Sequence, residues 1–217
     1  MRRGTALALG LALTGCVAGA PSRALTADEH NDLGVAHFER GDMRAAAREF
    51  ERAVALRPDW ARALVNLGDA RLALGELEGA IRAYERAVGA APDDSGAANN
   101  LAWALLQDPA RWPEAEPIIR GALARGPEPR GYYLDTLGAL LLRKGDGPGA
   151  LDAFRQALAD PALIDGRTRA LVLEHAAEAH TRLGDPAAAA RCRTLAEAER
   201  RGGTDGGALV GDRVSVC

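Results

Sequence analysis

The chain repeats itself. Between Ala27 and Pro92 one pattern is written twice at an interval of 34 residues: Leu33-Gly34 returns as Leu67-Gly68, Gly41-Asp42 as Gly75-Glu76, Ala46 as Ala80, Phe50 as Tyr84, Ala53 as Ala87 and Pro58 as Pro92. A period of that length belongs to stacked supersecondary units, and it limits the fold before any other property is considered. Within one copy, Leu33 and His37 share a helical face, Gly34 leaves room for a second backbone to come close, and Gly41-Asp42 reads as a helix stop and turn. Ala46, Phe50 and Ala53 then fall at i, i+4 and i+7 on a second helix that ends before Pro58. Each copy is therefore a helical hairpin, and because one hairpin cannot cover both its apolar faces, hairpins must stack.

The same spacing continues. A third copy, near 95–129, begins in register with Leu101, Ala102 and Leu105, but its turn carries one extra residue, so Ala115, Ile119, Ala122 and Pro127 fall one place late. Asp108-Pro109 replaces the Gly turn; Pro113 suits the start of the second helix, and Pro117 is expected to kink that helix or delay it. A fourth copy, near 131–164, carries Leu134, Leu137, Gly138, Gly145-Asp146, Ala150, Phe154 and Ala157. A fifth, near 170–200, carries Leu173, Ala176, Ala177, His180, Gly184-Asp185, Ala189 and Ala196, with Arg193 in the aromatic position, as suits a last helix with a solvated far face. Residues 201–217 hold five glycines and no periodic apolar face, and read as a flexible tail.

These residues resemble the tetratricopeptide repeat, whose signature is a large apolar residue, Leu-Gly, an aromatic, a Gly turn, Ala, an aromatic, Ala and Pro. The second copy matches at Leu64, Leu67, Gly68, Gly75, Ala80, Tyr84, Ala87 and Pro92, and departs at Arg71, where the family usually has Tyr. The resemblance implies an all-α, right-handed solenoid of about five hairpins over 26–200, acting as a non-catalytic protein-interaction scaffold. A composition of 47% hydrophobic but only 4% aromatic residues suits such closely packed helices. A formal charge of -3, without a basic stripe, argues against nucleic acid as a partner.

The first residues have another purpose. Arg2 and Arg3 precede a short apolar run, Thr5 to Leu13, far below the roughly 20 residues of a membrane-spanning helix, so 1–15 reads as an export signal. Leu13-Thr14-Gly15-Cys16 resembles the bacterial lipobox, which implies cleavage before Cys16, its acylation, and a short tether over 16–25. The competing cleavage site follows Ala18-Gly19-Ala20, where Pro21 would obstruct the peptidase. Val17 after the cysteine implies sorting to the outer membrane, facing the periplasm, with several acyl chains giving a stable anchor.

In the family, the first helix of each hairpin lines a concave groove. Carried over, the groove set is Asn31, Phe38, Arg62, Asn66, Asp69, Asn99, Asn100, Trp103, Tyr132 and Asp135, with Leu106, Thr136, His175 and Glu178 beside them. Amides there would grip the backbone of an extended protein segment, and Trp103 and Tyr132 would supply apolar anchors. No cofactor, metal or catalytic residue is expected: His175 and His180 stand at i, i+5, whereas helical ligands to one metal stand at i, i+4. A metal-dependent hydrolase is thus the remote reading, behind a pilotin-like assembly factor for a secretin or a regulator of peptidoglycan enzymes. Pairing of Cys192 with Cys217 and the oligomeric state are left open by the residues alone.

Overall fold

The structure, a computed structural model, describes residues 24–125, 130–160, 166–201 and 216–217. Ten α-helices run in order among them: α1 (Ala27–Glu39), α2 (Met43–Leu56), α3 (Ala61–Ala73), α4 (Leu77–Ala90), α5 (Ser95–Gln107), α6 (Ala115–Arg125), α7 (Arg130–Lys144), α8 (Gly147–Leu158), α9 (Gly166–Arg182) and α10 (Pro186–Arg200). They pair as five hairpins, and each hairpin packs on the next through consecutive helices. The observed architecture is the all-α solenoid that the period requires. The fifth hairpin starts at Gly166, four residues ahead of the expected boundary at 170.

The Gly-Asp dipeptide does two jobs at the hairpin turn. Gly41 takes φ +81°, which spares a side chain the left-handed penalty, and its N–H closes α1 on Phe38 O at 2.9 Å. Asp42 then caps α2 by accepting from the N–H of Ala45 at 3.0 Å. The same arrangement recurs where Asp146 accepts from Gly149 and Asp185 from Ala188. Hairpin two differs, because Glu76 at the equivalent place makes no side-chain cap. In hairpin three the glycine is gone, and Asp108 accepts from the N–H groups of Ala110 and Arg111 at 2.7 and 3.0 Å instead. A 3-10 turn over Trp112–Glu114 follows, and α6 begins at Ala115 with Pro117 in its first turn, where a missing N–H costs nothing. The second helix is therefore delayed.

Inside each hairpin the glycine of the first helix meets the aromatic ring of the second. A Cβ built on Gly34 would stand 2.5 Å from Phe50 Cε1; Gly68 meets Tyr84 and Gly138 meets Phe154 in the same way. The space Gly34 keeps open is thus taken by a ring and not, as expected, by a second backbone. Hairpin three substitutes a volume-matched pair, with Ala102 and the slimmer Ile119 in one cluster.

The core is distributed in three clusters, each shared by neighbouring hairpins. Helix α4 shows how: Ala83 and Ala87 join the cluster behind it, while Ile81 and Tyr84 join the cluster ahead. At the far end Arg193 is exposed, as a terminal helix requires. Residues 202–215 lie outside the described residues, but Val216 and Cys217 pack back on the last hairpin. Val216 is buried, its carbonyl lies 3.2 Å from His180 Nε2, and Cys217 forms a disulfide with Cys192. The end of the expected tail is thus pinned. Pro127, Pro161, and Cys16 with the rest of 1–23 also fall outside the described residues.

The bare turn of hairpin two yields a prediction. Glu76→Asp restores the short carboxylate that caps the other hairpins, and should raise the unfolding free energy by about 1 kcal/mol, measured by urea titration. An unchanged midpoint would show that Glu76 already satisfies the helix end through solvent.

Candidate functional site

The residues expected to line a groove sit on α1, α3, α5 and α7, and the structure divides them into two groups. Some are consumed in holding neighbouring first helices together. Asn66 Nδ2 on α3 donates to Asn31 Oδ1 on α1 at 2.9 Å, and Asn31 is only 2% exposed. Asp135 on α7, 8% exposed, lies 2.8 Å from His175 Nδ1 on α9. Asn31 and Asp135 therefore cannot grip a guest, and neither can buried Thr136. The expectation is corrected for these three because first helices approach closely enough to close over polar side chains between them.

The pairs follow one rule. Asn31, Val65, Asn99, Asp135 and Glu174 occupy one repeat position, and Asp32, Asn66, Asn100, Thr136 and His175 occupy the next. Where the chemistry permits, the first position of one hairpin bonds to the second position of the following hairpin: Asn31 to Asn66, and Asp135 to His175. Val65 offers no polar atom, so Asn100 Nδ2 turns to Asp69 Oδ1 at 3.4 Å. Asp69 also accepts from the Tyr84 hydroxyl at 2.6 Å, the one hydroxylated ring among the three that face glycines. Burial pushes the Asp69 carboxyl above its usual range, partly offset by the Tyr84 hydrogen bond, and the same burial with the Asp69 charge holds Tyr84 in its neutral donor form. At the remaining seam Thr136 donates to Tyr132 O of its own helix at 3.1 Å, and Asn99 Oδ1 is left buried without a hydrogen-bond partner among the described residues.

The other group remains reachable. Trp103 is half-buried, with its ring centroid 5.7 Å from that of His175, while Phe154 backs His175 at 5.9 Å. Around Trp103 opens a pocket of about 350 Å³ between α5, α7 and α9. Trp103, Leu106, Ala139 and Leu142 give it an apolar lining; Gln107, Arg143, His175, Glu178 and Arg182 give it polar edges. Tyr132 is 39% exposed, and Phe38 is half-buried against the first cluster, but neither lines this pocket. Arg62 lies instead over the Trp60 ring at 5.0 Å, at the junction of hairpins one and two.

Arg143 and Arg182 were missing from the expected set. They occupy equivalent places in hairpins four and five, and each donates to the end of the preceding first helix: Arg143 to Leu106 O, and Arg182 to Leu142 O at 3.1 Å. A cation at a helix C-terminus complements the helix dipole, and a basic residue recurring at the end of two first helices was the available signal. The histidines all find nearby partners: His30 lies 2.7 Å from Glu49 and His37 3.9 Å from Asp42, besides the contacts of His175 and His180 given above. Among the described residues no group of three or more His, Cys, Asp or Glu side chains is arranged to hold a metal ion.

Paired helices stacked in this way define an α-solenoid, a class that presents surfaces to partners. The family model described as "Tetratricopeptide repeat" matches residues 31–95, 72–129 and 107–164, together more than half of the 217 residues, and the chain belongs to that family. Its fold is in general a non-catalytic protein-interaction scaffold. Among solved structures, a chain of the APC/C hetero-tetramer Cut9-Hcn1 is similar at TM-score 0.73 and 18% identity, over 81% of this chain but 34% of that one. MamA from Desulfovibrio magneticus RS-1 is similar at TM-score 0.63 and 17% identity, covering 81% and 96% of the two chains. TTC0263, a thermophilic tetratricopeptide-repeat protein of Thermus thermophilus, reaches TM-score 0.63 and 22% identity over 84% and 92%. At these identities the likeness is one of fold. No curated protein matches the chain.

The seams can be tested at two places. Thr136→Asn places an amide opposite Asn99, reproducing the Asn31–Asn66 pair, and should stabilise the fold by about 1 kcal/mol in urea unfolding. Lower stability would show that Asn99 is met some other way. Burial lowers the His175 pKa, but the Asp135 carboxylate, aided by Glu178 and Glu174, outweighs it and holds the pKa above its ordinary value. A raised folded-state pKa gives stability that is complete below pH 6.5 and is lost as pH rises through the folded value. Asp135→Asn should remove that loss above pH 6.5 and cost on the order of 2 kcal/mol at pH 6; equal pH slopes in the two proteins would contradict the pairing.

Proposed function

We propose that this chain is a non-catalytic scaffold of the bacterial cell envelope, anchored by lipid at Cys16 to the periplasmic face of the outer membrane, that holds an extended protein segment against α5, α7 and α9. The observation that carries the reading is the pocket beside Trp103. It is lined by first helices alone, has an apolar lining with a half-exposed indole, and its polar edge residues are already hydrogen-bonded in place. A guest would meet a preformed wall, so little ordering cost falls on this side of the complex. The indole is the natural anchor, since binding energy concentrates in a few buried aromatic contacts.

Two features support the envelope location. Leu13-Thr14-Gly15-Cys16 has the lipobox pattern, and the Cys192–Cys217 disulfide suits an oxidising compartment. No described helix is long and apolar enough to cross a membrane.

The test is crosslinking in cells followed by mass spectrometry, comparing the natural chain with Trp103→Ala and with Cys16→Ser. Trp103→Ala should weaken capture of the principal partner by at least tenfold while the protein stays folded. Cys16→Ser should release the chain from the membrane fraction and abolish its labelling by palmitate. Undiminished partner recovery from folded Trp103→Ala would remove the pocket assignment, and membrane retention of Cys16→Ser would remove the anchor.

A further inference from the structure

The solenoid carries a second cleft that the groove reading does not use. Second helices α2 and α4 both pack on α3, and between them lies a cavity of about 430 Å³ that shares no residue with the Trp103 pocket. Its lining is apolar where Val54, Pro58, Leu67 and Ala83 meet. Around that patch stand three arginines, Arg71, Arg82 and Arg86, against the single carboxylate of Glu51. This local excess of positive charge occurs in a chain whose formal charge is -3.

The three guanidinium groups are not equally occupied. Arg71 is tied down by Glu51 at 2.8 Å and by Gly79 O at 3.3 Å. Arg82 reaches Glu78 only at 3.4 Å, and both side chains are about 60% exposed (62% and 59%), a geometry that contributes little to stability. Exposed Arg86 donates to Pro58 O at 3.0 Å and has no carboxylate partner among the described residues. Arg82, loosely held, and Arg86, without a carboxylate, therefore stand beside the apolar lining as the cations a carboxylate would meet.

We propose that the α2–α4 cleft is a second docking surface, and that it takes a short acidic protein segment in which carboxylates flank an apolar side chain. The apolar side chain would rest on Ala55 and Pro58, the exposed apolar members of the lining, and its neighbouring carboxylates would meet Arg82 and Arg86. An anionic membrane fits less well: Glu51, Glu78 and Glu85 stand exposed on the same two helices, so a flat anionic sheet would meet carboxylates along with the arginines. A narrow segment can place its charges against the guanidinium groups alone. Nucleic acid is a poor fit too, since the cleft is isolated and not part of a basic stripe.

The test uses the full chain and the peptide carboxyfluorescein-Asp-Glu-Leu-Glu-Asp-amide, with its equally labelled Asn/Gln isostere as control, followed by fluorescence anisotropy. The acidic peptide should bind, the isostere should not, and affinity should fall as salt rises. Arg82→Gln with Arg86→Gln should weaken binding at least tenfold, whereas Trp103→Ala should leave it unchanged, which separates this surface from the groove. Arg82→Gln alone, at an exposed and loosely held side chain, should give at least a threefold loss and guards against a folding defect. Equal binding of the two peptides, or undiminished binding by the folded double variant, would overturn the proposal. So would Arg82- and Arg86-dependent recruitment to phosphatidylglycerol vesicles, or displaceable binding of inorganic phosphate, without peptide binding.

Discussion

Three hairpins depend on one close approach, the seating of an aromatic ring in the space where a glycine has no side chain. Gly34 with Phe50, Gly68 with Tyr84 and Gly138 with Phe154 bring the two helices of each hairpin together over a ring that is almost wholly excluded from water. Burying such a ring contributes on the order of 2–3 kcal/mol, and a methyl group on the glycine would force ring and helix apart. The small residues around it follow from the same geometry: with the helices this near, Ala46, Ala53, Ala80 and Ala87 fill the seam completely and larger side chains have no room. This is why a chain with so few aromatic residues can still build a continuous core.

Hairpins then join to hairpins in two different ways. The second helices share apolar clusters, as α4 does with both its neighbours, and these contacts are tolerant of shape. At two seams the first helices meet through a polar pair, Asn31 with Asn66 and Asp135 with His175, and these are not tolerant, because a buried polar atom without its complement costs more than the pair contributes. The wall of the Trp103 pocket is made of this second kind of contact, through His175 and Asp135, together with the arginines that close the preceding helix ends. The shape of this wall is thus a product of how the repeats adhere.

Period, turn chemistry and the disturbed second helix of hairpin three were legible in the residues, because each arises from contacts within one hairpin, whereas the start of the fifth hairpin was placed four residues late. The irregular Asp108-Pro109 turn showed itself as a shifted register even without knowledge of the hydrogen bonds that replace the glycine. The contacts between hairpins were harder to read. Placing groove residues by position along a helix treats each hairpin alone, so Asn31 and Asp135 look available, and only the stagger between neighbours shows that each is covered by a residue one place further on. The contact of Arg62 with Trp60 was not legible either, because Trp60 belongs to the inter-repeat turn and not to the helix face. The pairing of Cys192 with Cys217 depended on the path of the chain's last residues, which no periodicity describes.

The seams differ in their chemistry, amide against amide at the first and carboxylate against imidazole at the last, with Val65 withdrawing from the pattern between them. The modules are consequently not interchangeable bricks. Excising the third and fourth would set Val65 beside His175 and leave that imidazole without its carboxylate. A chain assembled this way resists the loss of its middle units, because the joints are written for particular neighbours.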